Sequence, residues 1–437
     1  MKGMFATLVN AFRVPELRKK ILFTFLILAI YEFGAQIPMP GINRQEFSTL
    51  IQNFGQIGSL MNIITGGSLY AASIFAMGIT PYVNSSIIIQ LLTVAIPALE
   101  RLQKEGEPGR KKIQKIVRFT TIGLALLQAT AFWYATRSAM TNLLNPVLTA
   151  FLIIASFTAG TAFIMWLGER INERGIGNGI SLIIFTGIVT RLPSMTIQLY
   201  NYSSDVAGMF DNVIIGTILG ILLFIVIACV AVGIILFVLF VQNAERRIPV
   251  QYSKRVIGRK TYGGQNTYIP LKVNQSGVMP VIFAMSLLSL PQTVVSMFFS
   301  TSTNPVVLWF KNFGSNPVYY VVYLLLIVGF TFFYSLIQFN PIEISNNLQK
   351  NGGFIPGVRP GRPTSDFIAK TASRMNWVDA LFLASVVLVP TLIGSLTNLE
   401  HVWFAGTSVL ILSGVANDLV KQIESQMVTH HYKGFLD

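Results

Sequence analysis

Long apolar runs separated by polar and basic segments repeat along the whole chain. A helix that crosses a bilayer needs about 20 apolar residues. We predict ten spans, at about residues 21–37, 69–96, 116–136, 146–167, 180–192, 213–241, 278–297, 318–337, 377–396 and 402–420. The fifth and tenth spans are weak, because Arg191 shortens one and Asn417 and Asp418 interrupt the other. The pattern predicts an all-α polytopic membrane protein with ten transmembrane helices.

The distribution of Lys and Arg supports this count, since cytoplasmic loops carry an excess of both. With the N-terminus inside, all but four of the 32 basic residues fall in inner segments, the exceptions being Arg44, Arg137, Arg191 and Lys311. Omitting the fifth span would move the basic residues of 246–272 to the outside. We therefore keep ten spans, with both termini cytoplasmic.

Ten spans divide into two groups of five, and an odd number of spans inverts the second group relative to the first. The functional path of an inverted repeat usually runs between the halves at mid-membrane. We expect an N-terminal half at 1–197 with spans one to five, and a C-terminal half at 198–437 with spans six to ten. The basic loops at about 242–272 and 338–376 would face the cytoplasm.

A short apolar segment at 57–64 precedes the second span and is separated from it by Gly66 and Gly67. It is too short to cross a bilayer, and a segment that folds back into the membrane must be received by protein or by a water-filled cavity. The spacing leaves three structures open: a surface amphipathic helix, a packed re-entrant loop, or a movable piece of a pore.

Composition then excludes several classes of protein. Of the 437 residues, 52% are hydrophobic and only 11% are charged, which leaves little room for a soluble domain and excludes a soluble enzyme. Cys229 is the single cysteine, so an intrachain disulfide and a cysteine-based zinc site are ruled out. Gly175, Gly177 and Gly179 lack the spacing of a phosphate-binding loop and predict a flexible lead into the fifth span. We expect no catalytic residue, no cofactor and no metal, so that any energy source must come from a partner.

The polar residues nearer the membrane interior are neutral. A proton- or ion-coupled carrier normally keeps an ionisable group at mid-depth, whereas Glu32 and Asp379 are predicted near span ends. Neutral residues such as Gln90, Thr93 and Asn274 are also compatible with ordinary hydrogen bonds between helices. This pattern favours a pore over a coupled carrier.

The two long inner loops have the composition of docking surfaces. The loop at 242–272 alternates apolar and polar residues and predicts a protruding hairpin, and the loop at 338–376 has a Gly- and Pro-rich tip. Basic loops also set topology and attract anionic lipid, but an acidic RNA or protein face would suit these loops as well. The candidate docking residues are Arg246, Arg247, Lys254, Arg255, Arg259, Lys260, Arg359 and Arg362.

Five long motifs occur in order across essentially the whole chain: ASIFAMGITPYVNSSIIIQLL, MWLGERINERGIGNGISLIIF, IPLKVNQSGVMPVIFA, FNPIEISNNLQKNGGFIPGVRPG and FAGTSVLIL. With these motifs the chain resembles the bacterial SecY family, the pore subunits of the Sec protein-conducting channel, or translocon. The resemblance implies two inverted five-helix halves around a central pore. The halves would open toward lipid between spans two and three on one side and spans seven and eight on the other.

The resemblance also implies site residues. A ring of apolar side chains would close the pore, at Ile79, Val83, Ile180, Ile184, Ile282 and Ile411. Isoleucine is more usual at the position of Val83, which predicts a slightly looser seal. The segment at about 57–67 would be a plug, and its short helix at 57–64 would include Ile57, Leu60, Met61, Ile63 and Ile64. The candidates for a polar contact at the lateral gate are Gln90, Thr93 and Asn274.

The function implied by the resemblance is a passive channel in the bacterial plasma membrane. Unfolded secretory preproteins would cross through its centre, and signal peptides or transmembrane segments would leave sideways into membrane lipid. The implied partners are the membrane subunits SecE and SecG, the SecA motor ATPase and the ribosome. A secondary transporter for a small solute is the alternative and should show a polar substrate site with an ion-coupling residue. A polytopic membrane enzyme is the third choice.

Overall fold

Helices that are long and apolar dominate the architecture. The structure, a computed structural model, describes residues 11–52, 62, 65–137, 145–208, 213–252, 255–257, 260–262, 266–298, 304–311, 313, 316–397 and 406–433. In the first part of the chain the helices are α1 (Pro15–Ala35), α2 (Arg44–Gln52), α3 (Thr80–Ala95), α4 (Pro97–Lys104), α5 (Glu107–Thr136), α6 (Pro146–Arg174), α7 (Gly179–Val189) and α8 (Leu192–Gly208). In the second part they are α9 (Val213–Asn243), α10 (Met279–Phe298), α11 (Pro305–Lys311), α12 (Pro317–Gln338), α13 (Pro341–Lys350), α14 (Arg362–Thr397) and α15 (Gly406–Lys433).

Length and composition make this a multi-pass membrane protein. Within the described residues, 6 helices are long and apolar enough to cross a membrane, and the bent pair α3 and α4 raises the number to 7. A shorter apolar helix covers Met279–Ser289 within α10. Each of the ten predicted spans overlaps a helix, so the all-α polytopic prediction is confirmed. The predicted boundary between the halves, at residues 197 and 198, lies inside α8, and the division into halves stays a prediction.

The second span is shorter than its apolar run predicts. Residues 65–79 form buried turns instead of helix, and α3 begins only at Thr80. Two features explain this start: Gly78 has a φ of +55°, which a continuous helix does not allow, and Pro81 lies in the first turn, where its missing N–H costs nothing. The predicted helix over 69–79 is therefore wrong. At its other end α3 stops at Ala95, and α4 turns away by 100°.

The buried turns are held by backbone pairing with the end of the first span. The N–H of Met39 donates to the carbonyl of Ala72 over 2.8 Å, and the N–H of Ile74 donates to the carbonyl of Ile37 over 3.1 Å. The hydroxyl of Ser68 lies 2.9 Å from the carbonyl oxygen of Phe75. These bonds satisfy backbone groups that would otherwise be unpaired away from water.

The fifth span is longer than predicted. The sequence predicts that the span ends near Leu192. In the structure α8 continues α7, and the two helices together form one segment, Gly179–Asp205, that is long and apolar enough to cross a membrane. Arg191 suggested the early end. Its guanidinium lies 5.9 Å from the ring centre of Tyr70, and this cation–π contact stabilises the charge of Arg191.

The glycine motif before the fifth span is a packed junction, not the flexible lead that was predicted. A Cβ on Gly179 would lie 2.0 Å from the carbonyl oxygen of Gly168, so α6 and α7 approach more closely here than any side chain permits. Gly177 has a φ of +93°, a conformation that favours glycine. The side chain of Asn172 fixes the junction by accepting the N–H of Gly179 over 2.8 Å.

The loops that follow α9 and α12 together form a small sheet. Its strands are β1 (Glu245–Tyr252), β4 (Asn266–Lys272) and β5 (Gly353–Phe354) in the order β4-β1-β5, with β2 (Arg255–Ile257) and β3 (Lys260–Tyr262) as a separate hairpin. Strand β1 runs antiparallel to β4 from Glu245↔Lys272 to Gln251↔Asn266, which confirms the predicted hairpin. Gln251 also pairs with Phe354 of β5.

The second basic loop is more ordered than its Gly- and Pro-rich tip suggested. Most of residues 338–376 lie in α13, β5 and the start of α14. A common apolar cluster joins them to the hairpin, with Ile248, Val250, Leu271, Leu348, Ile355 and Ile368 buried together. The two candidate docking loops therefore form one folded unit.

We predict that Gly66→Ala destabilises the protein. Gly66 has a φ of +65°, and a Cβ there would lie 2.8 Å from the Cα of Gly187 on α7. Strain of this kind costs on the order of 1–3 kcal/mol. The midpoint of thermal unfolding in detergent should fall for Gly66→Ala but not for the control Gly123→Ala, whose Cβ would meet nothing within 4 Å. Equal midpoints for the two variants would contradict the prediction.

Candidate functional site

Four of the predicted ring residues are buried in one hydrophobic cluster. Ile79 and Val83 lie one turn apart at the start of α3, Ile184 lies on α7, and Ile411 lies on α15. Ile180 and Ile282 are partly buried and pack against the same cluster. Two of the contributing helices come from each predicted half. The structure thus brings all six residues to one apolar region, and their role as a pore ring stays a prediction.

Local capping fixes the direction of the α7 side chains. The side chain of Asn178 accepts the N–H groups of Ile180 and Ser181 over 3.1 and 3.4 Å, as an N-cap residue does. Because residues four apart lie on one face of a helix, Ile180 and Ile184 then point in the same direction.

A polar cavity adjoins the apolar region. Its volume is about 270 Å³, and Ile184, Ile282 and Ile411 contribute to its wall. The polar part of the wall includes Lys272, Asn274, Gln275, Ser276, Asn417, Asp418 and Lys421. Burial, and then the like charge of Lys272, lower the pKa of Lys421. The wall of the cavity therefore combines charged and polar side chains with the apolar side chains of Ile184, Ile282 and Ile411.

A hydrogen bond joins α12 to α3, which belong to different predicted halves. The hydroxyl of Tyr334 on α12 donates to the side-chain oxygen of Gln90 on α3. The hydroxyl of Thr93 donates to the carbonyl of Gln90, 2.6 Å away. Asn274 lies apart on the cavity wall, and its buried Oδ1 has no partner among the described residues. The structure pairs Gln90 with Tyr334 instead of Asn274, and the gate role of Gln90, Thr93 and Asn274 stays a prediction.

Two groups of polar residues near this contact were not predicted as site residues. Tyr334 and its neighbour Ser335 form a polar pair inside an apolar span, which is the signal that could have drawn attention to them. Asp379 was placed near a span end, but its side chain is 0% exposed and accepts a hydrogen bond from Ser276 over 2.7 Å. A buried carboxylate cannot be recognised from hydropathy alone.

The predicted plug residues Ile57, Leu60, Met61, Ile63 and Ile64 lie outside the described residues. Asn62 of the same segment is described and fully buried. Its side-chain oxygen accepts the N–H of Tyr70 over 3.0 Å, and its carbonyl accepts the N–H of Gly67 over 2.8 Å. The end of the segment is thus bonded to the buried turns that precede α3.

The candidate docking residues divide by position. Arg246 and Arg247 lie on β1, where Arg247 pairs with Glu245 at 2.8 Å and covers the ring of Tyr268. Arg359 precedes α14, which Arg362 begins, and the carbonyl of Arg359 accepts the hydroxyl of Thr364 over 2.8 Å. Lys254 and Arg259 lie outside the described residues, and only the strand positions of Arg255 and Lys260 are described. The docking role of these residues stays a prediction.

The described residues contain no group of three or more His, Cys, Asp or Glu side chains that could hold a metal ion. The shape and the polarity of the region around the apolar cluster then indicate what the site can do. An apolar cluster of α3, α7, α10 and α15 next to a polar cavity, with a hydrogen bond between α12 and α3, indicates the class: a helical membrane channel.

Comparison with known proteins narrows the class to a family. The SecY family model matches residues 73–420. "Protein translocase subunit SecY" of Streptomyces scabiei is 44% identical over 99% of this chain and 100% of its own length, and the protein of the same name from Halalkalibacterium halodurans is 43% identical over the same shares. The chain belongs to the SecY family.

Solved structures share the fold. One described as "The structure of a protein conducting channel" matches with a TM-score of 0.64 and 19% identity, covering 94% of this chain and 93% of the other. Sec61 in the canine ribosome-channel complex matches with a TM-score of 0.60 and 18% identity over the same shares. Together with the family, this makes the chain a protein-conducting channel and not an enzyme.

We predict that Tyr334→Phe weakens the contact between the halves. A single hydrogen bond contributes about 0.5–1.5 kcal/mol, so a two-state gate should shift severalfold. Cells that depend on the variant should export a protein with a weakened signal sequence severalfold better than the parent. Tyr323→Phe is the matched control, since Tyr323 is buried on the same helix and its hydroxyl has no partner in the described part of the chain. Equal export by Tyr334→Phe and the parent would contradict this gate contact.

Proposed function

We propose that the chain passes unfolded secretory polypeptides across the bacterial plasma membrane and releases transmembrane segments sideways into lipid. The observation that supports the proposal is the apolar cluster to which α3, α7, α10 and α15 contribute, and which would form the constriction of a pore. An apolar constriction excludes water and so blocks ions, yet it makes no strong contact with a passing chain. This combination suits a pore that must seal at rest and must not hold its substrate.

The six ring residues would act together in that seal. Four of them are buried among helices that a crossing polypeptide would have to separate. The cavity beside them, with Lys272, Asp418 and Lys421 in its wall, would receive the chain from the cytoplasm. The segment at 57–64 would act as a plug, with Asn62 and the buried turns at 65–79 as its attachment.

The lateral gate would lie where α3 and α5 meet α10 and α12. Helix α10 packs against both α3 and α5, and Tyr334 of α12 bonds to Gln90 of α3. An apolar signal segment would open this seam by binding the open state better than the closed one, since only differential affinity shifts a two-state equilibrium. Thr93 and Asn274 would contribute polar groups to the same seam.

The folded unit of β1, β4, β5 and α13 would be the docking surface for the ribosome and for the SecA motor ATPase. Its exposed arginines suit an acidic partner. Ribosome association is supported by the fold shared with Sec61 in the ribosome-channel complex and with the yeast Ssh1 complex bound to the 80S ribosome, which has a TM-score of 0.53. SecE and SecG would be the membrane partners of the whole protein. Both of its termini would be cytoplasmic. Its two halves would meet near residue 197.

A secondary transporter for a small solute is not favoured. Such a protein needs an ion-coupling group that faces its substrate path. The buried carboxylate of Asp379 instead accepts hydrogen bonds from Ser276 of the same half.

We predict that Arg359→Glu impairs transport without affecting membrane insertion of the protein itself. Arg359 is exposed beside the docking unit, and reversing its charge should repel an acidic partner face. ATP-driven transport of a preprotein into reconstituted vesicles should fall at least severalfold. Arg110→Glu, an equal charge change at an exposed residue of α5, is the control and should retain transport. Unchanged transport by Arg359→Glu would show that the docking assignment is wrong.

A further inference from the structure

The ninth span contains a carboxylate that the proposed pore and docking unit do not use. Asp379 lies on α14 with a side chain that is 0% exposed. A buried charge costs several kcal/mol unless hydrogen bonds or an opposite charge compensate it. Ionisable residues in membrane spans are correspondingly rare and face the protein interior. The side chain of Asp379 therefore needs hydrogen-bond partners that compensate the cost of its burial.

Those partners lie in the turn that leads into the seventh span. The hydroxyl of Ser276 donates to Oδ2 of Asp379 over 2.7 Å, and the backbone N–H of Ser276 donates to the same oxygen over 3.4 Å. Gly277 follows with a φ of +67°, and α10 begins at Met279. The side chain of Asp379 is thus bonded to the turn that immediately precedes α10.

A second bond ties the same turn to the eighth span. The hydroxyl of Ser335 on α12 donates to Oε1 of Gln275 over 3.2 Å. The residue before it, Tyr334, makes the contact with Gln90 across the two halves. The turn at 274–278 is therefore joined to the ninth span directly and to the cross-half contact through one helix.

The turn also determines where a ring residue lies. Asn274, Gln275 and Ser276 form part of the cavity wall, which Ile282 completes from the first turn of α10. The N–H of Ile282 donates to the carbonyl of Val278 over 3.3 Å, so Ile282 follows the position of this turn. Any shift of the turn moves the start of α10, and Ile282 with it.

We propose that Asp379 is a positioning residue of the gate. Its carboxylate holds the start of α10 in the arrangement in which α10 packs against α3 and α5 and Ile282 reaches the constriction. The inference rests on the proposed function. Without the carboxylate the start of α10 loses its fixed position, so a weaker signal segment suffices to open the seam and the resting constriction admits more ions.

The test compares single and double variants in reconstituted vesicles and in cells that depend on the variant channel. Asp379→Leu alone leaves the donors of Ser276 unpaired, whereas Asp379→Leu combined with Ser276→Ala removes both side-chain partners. Replacing both partners of a buried hydrogen bond by apolar groups is nearly neutral for stability. Only the backbone N–H of Ser276, whose bond is long at 3.4 Å, loses its acceptor, so the double variant should accumulate close to the parental level. It should nevertheless export a protein with a weakened signal on the order of tenfold better than the parent, with equal export of a strong signal.

Ser385→Ala is the matched control, since its hydroxyl donates to the carbonyl of Phe382 within α14 itself. It should leave both the ratio of weak to strong signal export and the resting ion leak unchanged. If the double variant accumulates poorly, Asp379→Asn supplies the readout, because it keeps the size of the side chain and one acceptor; it should give a smaller change in the same ratio.

Two results would overturn the inference, and they are distinguishable. A parental ratio and a parental ion leak in the double variant, or in Asp379→Asn where the double variant accumulates poorly, would show that Asp379 does not position the gate, while the proposed function stands. A parent protein that transports no preprotein in the vesicles would overturn the proposed function and this inference with it.

Discussion

The packing of apolar side chains between the two halves is the interaction on which the rest of the structure depends. Ile79, Val83 and Ile184 of the predicted N-terminal half meet Ile411 of the predicted C-terminal half in a single cluster, and dispersion and water exclusion hold apolar side chains together without a directional bond. As the proposed pore ring, such a contact would seal well because water avoids it, and it would separate at low cost because no hydrogen bond would break. A pore for polypeptides requires both properties.

Polar groups are placed around this seal where directional bonds are useful. Within the membrane an unpaired polar group costs free energy, so a hydrogen bond between buried polar side chains stabilises the arrangement that forms it. The bond from Tyr334 to Gln90 joins the halves, and the bonds from Ser335 to Gln275 and from Ser276 to Asp379 join the start of α10 to its own half. In the proposed gate the first of these bonds would have to break on opening, whereas the other two would persist.

Much of this architecture follows from the sequence, for identifiable reasons. Apolar runs and basic loops predict the spans because bilayer thickness and charge asymmetry act on every residue, and the alternation in 245–272 predicts the hairpin. The turns at 65–79 were missed because hydropathy does not distinguish a buried turn from a helix; Gly78 and Pro81 were the available signals. The pairing of Gln90 with Tyr334, and of Ser276 with Asp379, depends on how distant helices pack, which no local pattern encodes.

The most direct measurement of the central claim is disulfide trapping of a stalled secretory chain that carries one cysteine. The exposed Cys229 on α9 is first replaced by serine, and single cysteines are then placed at Ile184, Ile282 and Ile411. Leu222, exposed on α9, is the control position. The account predicts adducts at the three ring positions and none at Leu222. Adducts at Leu222 with none at the ring, while transport continues, would contradict it.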